Sequence, residues 1–379
     1  MKYVVIAGES SGELHGAGLI ESVRRCDPDA EFRFFGGDMM EKAAGCPPEL
    51  HYSELNVMGF SAVISKMPSI LRHLRQAVHL LQEWRPDALL LVDFPGFNLK
   101  LAKSAHKLGI PVHYFISPKV WAWKEYRVRS IKKYVDRMYS ILPFEEEWFR
   151  KRGYEVIYVG NPSVQEIDRA LSHIPPLKHF CGRQGIIDME RKIIAILPGS
   201  RKGEIRNNLP LMIEAARQFP DFQYIVAAAP SVPEKFYRSV AQDPDLKLVF
   251  DSTITLLKYS RAALVTSGTA TLETALVGTP QVVCYRANGN KLSYKVMERL
   301  LKVKYVSLPN LVAGAEIVPE LLVHKCTVPS IRRALLPLLS NSPGREWQVK
   351  GYRLIRARLG SSVATDYAGE LIVGSLVKD

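Results

Sequence analysis

The sequence predicts an α/β protein made of two doubly wound domains, and three observations carry that expectation. Short apolar runs of buried-strand type alternate with helix-length amphipathic segments, the pattern of a parallel sheet covered on both faces. The alternation lapses over residues 161–191, where Pro162, Pro175, Pro176, Gly182 and Gly185 break a weakly periodic stretch, and then restarts. With 379 residues, 47% of them hydrophobic, the chain can bury two cores. A first domain is therefore expected over 1–165 and a second over 166–345. A helical segment over 346–379 is expected to pack back on the first.

In chain order, Tyr3–Ala7 reads as the first strand, Gly8-Glu9-Ser10-Ser11-Gly12 as a loop, and about Glu13 to Arg25 as a helix that Asp27-Pro28 ends. Strand, Gly/Ser loop and helix make a nucleotide-type opening. The glycines at 8, 12 and 16 nevertheless match neither G-x-G-x-x-G nor a Walker A loop. Further strands are expected at Phe32–Phe35, Ala88–Val92, Val112–Ile116, Arg137–Ile141 and Val156–Val159, with helices at Pro68–Trp84 and Leu99–Leu108. Residues 161–191 read as a linker zone plus a short helix. The second half offers strands at Lys192–Leu197, Gln223–Ala228, Lys247–Phe250, Ala262–Val265 and Gln281–Tyr285. It also offers a helix from Leu209 to Phe219 with Pro210 in its first turn. In such proteins the ligand is expected at strand C-termini, in the crevice between the halves.

Two turns of the second half have phosphate-type chemistry. Ser267-Gly268-Thr269 follows a strand and opens a helix that runs through Ala270 to about Val277, closed by Gly278 and Pro280. A helix N-terminus presents unpaired N–H groups and a positive dipole end. Glu273, placed in the first helical turn, suits the two hydroxyls of a ribose. Gly199-Ser200-Arg201 follows the strand Lys192–Leu197 and adds a permanent planar cation. Each turn alone is an ordinary capped helix; together with Glu273 they read as a nucleotide site without a P-loop.

In the first half, Asp93 ends the strand Ala88–Val92 and is a candidate general base; the competing reading is a cap for the helix beginning near Asn98. Asp27-Pro28-Asp29 and Asp243-Pro244-Asp245 have metal-diphosphate spacing, but their central prolines and distance from strand ends favour solvent turns. The nine histidines include no H-E-x-x-H or close ligand pair, so no metal site is expected.

Five cysteines at 26, 46, 181, 284 and 326 form no C-x-x-C pair, which suits a reducing cytoplasm. The apolar start before Gly8-Glu9 is too short for a signal peptide. Apolar runs stay well under the ~20 residues of a membrane span, so a soluble or peripheral protein is expected. The net charge is +13, and Leu55–Lys133 alone holds thirteen Lys and Arg against four acids. Its acid-free part, Leu55–Gln82, mixes Met58, Phe60, Val63, Ile64 and Met67 with Lys66, Arg72 and Arg75, a composition suited to an anionic membrane surface. Nucleic acid is the competing anion, without a recognition motif to support it.

These blocks, taken in order, resemble the lipid-A-disaccharide synthase family of inverting glycosyltransferases (family 19). The resemblance is nearly full length. It rests on Gly8-Glu9-Ser10-Ser11-Gly12, Val57-Met58-Gly59, Asp93-Phe94-Pro95-Gly96-Phe97-Asn98 and Ser117-Pro118-Lys119-Val120-Trp121-Ala122-Trp123. It rests further on Leu142-Pro143-Phe144-Glu145, Leu197-Pro198-Gly199-Ser200-Arg201, Ser267 to Glu273 and Tyr305-Val306-Ser307-Leu308-Pro309-Asn310. The chain departs from the family at Glu13, where Asp is usual, and at Gly160-Asn161-Pro162, where Gly-His is common.

The resemblance implies a GT-B fold, two Rossmann-like domains facing a central cleft with the nucleotide on the second. It implies transfer from UDP-2,3-diacylglucosamine to 2,3-diacylglucosamine 1-phosphate (lipid X), forming a β-1′,6 linkage and releasing UDP. UDP would then be held by Gly199, Ser200, Arg201, Ser267, Gly268, Thr269, Ala270, Glu273 and Asn310. Asp93 would be the base with Glu9 in reserve, and Ser10, Ser11, Gly12 and Asn98 would shape the acceptor side. No metal or other cofactor is expected. The expected partners are the two acylated sugars and the cytoplasmic face of an anionic inner membrane, with a homodimer compatible and nucleic acid not. Two rivals stay open: another GT-B protein (a different lipid transferase or a UDP-sugar epimerase) and a charge-driven nucleic-acid binder.

Overall fold

A computed structural model describes every residue except 56–66, 123, 186–187, 244, 287–303 and 378–379. The chain forms two compact units, residues 1–162 with 361–379, and residues 163–360.

The first unit contains β1 (Lys2–Ala7), α1 (Ser10–Cys26), β2 (Glu31–Gly36), α2 (Asp38–Ala44), β3 (Leu50–His51), α3 (Tyr52–Leu55) and α4 (Met67–Trp84). It continues with β4 (Ala88–Val92), α5 (Pro95–Lys107), β5 (Val112–Phe115), α6 (Val128–Tyr134), β6 (Arg137–Ser140), α7 (Phe144–Arg150) and β7 (Ile157–Tyr158). All paired strands are parallel, in the order β3-β2-β1-β4-β5-β6-β7. β1 and β4 are unbroken apolar runs because both sheet faces are covered. Alternate residues feed opposite cores: Val4, Ile6, Leu89 and Leu91 enter one, Tyr3, Val5, Leu90 and Val92 the other.

The second unit holds α8 (Pro162–Ser172, whose first residue belongs to the first unit), α9 (Leu177–Gln184), β8 (Lys192–Leu197), α10 (Lys202–Arg217), β9 (Phe222–Ala228), α11 (Glu234–Ala241) and β10 (Leu248–Phe250). There follow α12 (Thr253–Tyr259), β11 (Ser260–Thr266), α13 (Thr269–Val277), β12 (Gln281–Tyr285), α14 (Leu308–Ala313), β13 (Glu320–Leu322), α15 (Val328–Leu339) and α16 (Pro343–Leu359). This sheet is also parallel, ordered β10-β9-β8-β11-β12-β13. The chain then returns to the first unit with α17 (Ala364–Leu376).

Several expectations are corrected. The 161–191 stretch contains two helices, α8 and α9, rather than one. α5 begins at Pro95, not Leu99, because proline's fixed φ suits the first helical position. α10 begins at Lys202, which places Pro210 inside the helix instead of in its first turn. The 346–379 segment is divided. α16 stays with the second unit, where Gln348 Oε1 accepts the Gln281 N–H at 2.8 Å and Gln348 Nε2 donates to the Gln281 carbonyl at 3.0 Å. Only α17 packs on the first unit, against α1.

Of the residues expected to face a membrane, Met58, Phe60, Val63, Ile64 and Lys66 lie outside the described residues, and Met67 opens α4 with its side chain undescribed. Arg72 and Arg75 are exposed on α4, whose Ala77, Leu80 and Leu81 enter the core. Among the described residues no helix is long and apolar enough to cross a membrane.

Candidate functional site

In each sheet the strand order reverses between two central strands, and outside their carboxyl ends is where doubly wound folds bind ligands. In the first unit these strands are β1 and β4, with Ala7 paired to Val92 and Val92 to Phe115. The segments after residues 7, 92 and 115 therefore leave the sheet side by side.

Asp93 and Phe94 follow β4 in the left-handed region, at φ 45° and 46°. Two successive non-glycine residues there cost of order 1–3 kcal/mol each and need outside support. Asn98 Nδ2 donates to the Asp93 carbonyl at 2.8 Å, and the Tyr114 hydroxyl donates to the same oxygen. Gly8 leaves room for the turn, since a Cβ there would stand 2.3 Å from the Phe94 ring. The Asp93 side chain is half-buried, and burial pushes its carboxyl above the ordinary range; Lys119 pulls it back while Glu9 adds to the rise. It does not cap α5, whose N-cap is Phe94 without a side-chain cap, so the capping reading is set aside. Glu9 is the exposed, extended N-cap of α1, and Ser10 and Ser11 are exposed in its first turn, three residues earlier than expected. Gly12 is buried, with its would-be Cβ 3.7 Å from that of Ala7. Asn98 is fully buried and props the Asp93 turn, so it meets no acceptor directly.

Sequence reasoning missed Glu145. The run Glu145-Glu146-Glu147 looks like a solvated first helical turn, yet Glu145 is 1% exposed. Its Oε2 accepts the Ser117 hydroxyl at 2.6 Å and its Oε1 the Trp121 indole N–H at 2.8 Å. Burial pushes its carboxyl up to about 7, against the pull of those bonds and of Lys119.

In the second unit the order reverses between β8 and β11, with Leu197 paired to Val265. Both phosphate-type turns therefore open at the same edge. They differ in what they offer. At Gly199-Ser200-Arg201, Glu204 Oε2 already accepts the Ser200 and Arg201 N–H groups, at 3.1 and 3.4 Å. Gly199, at φ 111°, admits that carboxylate, which a Cβ would meet at 2.5 Å. The amides expected to cradle phosphate are thus answered from within. What remains is Arg201, whose side chain is 83% exposed and 3.7 Å from Glu204 Oε1. A Ser/Thr-x-x-Glu scan would not find this cap, because Arg201 stands at the N-cap and only the Glu204 half of a capping box is made.

At Ser267-Gly268-Thr269 the arrangement is open. Gly268 is the N-cap of α13, and among the described residues no side chain caps it and nothing lies within 4 Å of its would-be Cβ. Ser267 and Ala270 are half-buried, Thr269 is exposed, and the buried Thr266 hydroxyl has no partner among the described residues. Glu273 is the fifth residue of α13 rather than in its first turn. Burial, then Glu166 on α8, push its carboxyl up. Asn310 is a correction: it is fully buried and its amide is committed within the protein. Its Oδ1 accepts the Ile317 and Val318 N–H groups, and its Nδ2 donates to the Val318 carbonyl and Glu320.

The aspartate pairs sit in turns tied to cations. Asp27 meets the N-terminal ammonium at 2.9 Å, and Asp243 meets Arg217 at 3.0 Å. Among the described residues no three His, Cys, Asp or Glu gather as metal ligands. Of the two departures from the family pattern, Glu13 accepts the Met39 N–H at 2.7 Å, capping α2, and Asn161 Nδ2 donates to the Ile141 carbonyl at 2.7 Å.

Comparison with known proteins completes the picture. The family model described as lipid-A-disaccharide synthetase matches residues 3–368. The lipid-A-disaccharide synthase of Myxococcus xanthus is 38% identical over 381 residues, covering 98% of this chain and 97% of that one. That of Acidobacterium capsulatum is 37% identical over 380 residues, covering 94% and 91%. Among solved structures, the UDP-GlcNAc 2-epimerase of Neisseria meningitidis bound to UDP-GlcNAc superposes with a TM-score of 0.68 at 14% identity, covering 100% of both chains. The Methanocaldococcus jannaschii UDP-GlcNAc 2-epimerase in complex with UDP-GlcNAc and UDP gives 0.62 at 14% identity, with the same coverage. At such identity the likeness shows the fold alone, a GT-B type with two Rossmann-like domains. Because its family pattern and its relatives above a third identical both run nearly end to end, the chain belongs to the lipid-A-disaccharide synthetase family.

Proposed function

We propose that the chain condenses UDP-2,3-diacylglucosamine with 2,3-diacylglucosamine 1-phosphate, making the β-1′,6-linked lipid A disaccharide 1-phosphate and UDP. The observation that carries this reading, beside family membership, is the β8/β11 edge, where an uncapped helix N-terminus and an exposed Arg201 leave the sheet together. The acceptor's 6-oxygen attacks the donor's anomeric carbon as the bond to the diphosphate oxygen breaks, and the leaving UDP takes the electron pair. Asp93 takes the hydroxyl proton; a half-buried carboxyl held above its ordinary range is suited to that task. The charge growing on the diphosphate falls to Arg201 and the open N–H groups of α13, the donors a preorganised site needs. Glu273 takes the ribose hydroxyls. No metal enters the scheme, because cationic protein groups serve the diphosphate and both Asp-x-Asp pairs are spent in turns. The acylated substrates place the work at a membrane surface, which the basic stretch Leu55–Lys133 meets peripherally from the cytoplasmic side.

The test is UDP release from UDP-2,3-diacylglucosamine with and without lipid X. Release should require the acceptor, and Asp93→Asn should lower turnover ~10²–10⁴-fold with UDP affinity and melting temperature little changed. An active Asp93→Asn beside a dead Glu9→Gln would move the base role to Glu9. Donor epimerisation without acceptor would replace the transferase reading by an isomerase.

A further inference from the structure

At the edge of the first sheet away from Asp93, where β5 and β6 begin, lies a cavity of about 470 Å³. The sheet register explains what faces it. His113 pairs with Arg137 across the parallel β5/β6 ladder, and Tyr139 lies two residues further along β6, so all three share one face. α17 shares a core with Phe115 and Tyr139 through Ile372 and Val373, and its last residues, Ser375 and Leu376, form one wall of the cavity. His113 is 3% exposed, and its Nδ1 meets the Tyr139 hydroxyl at 2.9 Å with the two rings stacked at 6.0 Å. That hydroxyl is buried and has no other partner among the described residues, so it donates its proton to Nδ1. Burial and Arg137 push the imidazole down to about 4, so near neutral pH it is uncharged and its own proton sits on Nε2. Nε2 has no partner among the described residues, and His113 lines the cavity. Arg137 is exposed there, with neither hydrogen bond nor ion pair among the described residues. Asp136 is the one acid among the described lining residues, and its Oδ2 is committed to the Val112 N–H at 2.8 Å.

We propose that this cavity binds a phosphate group, held by the Arg137 guanidinium and the His113 Nε2–H, at the opposite end of the first sheet from Asp93. A permanent cation beside a buried neutral donor answers an oxyanion, and burying that donor costs little once the ligand accepts from it. The guanidinium fork can take two phosphate oxygens and leave a third for His113, an arrangement a carboxylate cannot complete. His106, exposed on the rim with its ring edge-on to Tyr134 at 5.7 Å, adds a further imidazole at the mouth. The volume exceeds that of a bare phosphate, and Ile110 and Leu376 give an ester's carbon body an apolar wall. Free phosphate and a lipid headgroup share this chemistry, and the site lies outside the proposed transfer reaction.

The test is ¹H–¹⁵N NMR of histidine-labelled protein at constant ionic strength, with saturating UDP present to fill the donor edge of the second unit. The His113 signals are those lost in His113→Gln. Inorganic phosphate and dihexanoyl phosphatidic acid are the two probes. The His113 Nε2 resonance should shift saturably: a response to inorganic phosphate assigns the site to the free ion, and a response to the lipid ester alone assigns it to a headgroup. Arg137→Met should weaken the binding about 10–100-fold, and Arg137→Lys should regain part of it, since the charge returns without the fork. No saturable shift with either probe overturns the proposal, and so does a shift that keeps wild-type affinity in Arg137→Met. If His113→Gln fails to fold, calorimetry with the same probes on wild type and the two Arg137 variants decides, and equal affinity in all three overturns the proposal.

Discussion

Replacing Glu145 by Gln should remove a pH-dependent weakness of the first unit. Burial raises its carboxyl from an ordinary 4.5 to about 7, so the folded chain holds a proton there that the unfolded chain has released. Its contribution is whole below 4.5 and is lost as pH climbs through 7, the direction for a group whose folded value lies above its unfolded one. At ~1.4 kcal/mol per pH unit over that interval, ionisation costs the fold about 3–4 kcal/mol by pH 8. Gln preserves the bonds to Ser117 and Trp121 and buries no charge. Urea titrations should therefore show Glu145→Gln gaining about 2–3 kcal/mol on wild type between pH 5 and pH 8. Buried His113, pushed down to about 4 by burial and Arg137, runs the other way, adding stability as pH rises toward 6.5. It cancels in the difference between the two proteins, so that difference is the readout. A gap that is the same at both pH values would refute the reasoning.

Three further outcomes follow from the site. Arg201→Ala should remove a charge-assisted contact worth ~1.5–3 kcal/mol from UDP binding, and Glu273→Ala should weaken it through the ribose; wild-type affinity in both, by calorimetry, would misplace the donor site. Chelator should leave turnover intact, and loss in EDTA restored by Mg²⁺ would overturn the metal-free scheme. Binding to anionic vesicles should fall with salt, at roughly 1 kcal/mol per Lys or Arg near the surface, and fall further in Phe60→Ser with Ile64→Ser. Equal binding to neutral vesicles at every salt concentration would count against it.

What the sequence made legible is what depends on local patterning. Strands such as Ala88–Val92 and Gln281–Tyr285 lie where their apolar runs end, and Gly278 closes α13 in the left-handed conformation. Asp93 and the Ser267-Gly268-Thr269 turn were visible because strand ends and helix starts carry local signals. The remainder depends on contacts distant in sequence. Asn310 has the look of a polar site residue, and only the folded chain shows its amide spent on residues 317–320. Glu145 hides in a charge run because its partners Ser117 and Trp121 lie 28 and 24 residues away. α16 and α17 are both amphipathic, and periodicity alone cannot tell which unit each one covers; Gln281 and Ser22 decide it through hydrogen bonds across 67 and 344 residues.

Because α17 belongs to the first unit, biosynthesis has an order of completion. α1 lays Ala17, Leu19, Ile20 and Val23 into the core that α17 joins with Ala364, Ala368, Ile372 and Val373. The two helices meet closely, for a Cβ on Gly369 would come within 2.2 Å of Ser22 Oγ. All seven strands of this sheet have been made by Tyr158, yet about 200 residues of the second unit must be translated before α17 appears. At roughly 5–20 residues per second, the groove on α1 stays open for about 10–40 s on the ribosome. A chain interrupted anywhere in the second unit never closes that groove and keeps an apolar strip for a chaperone or protease to find. A helix made after the whole second unit is therefore the seal on the first.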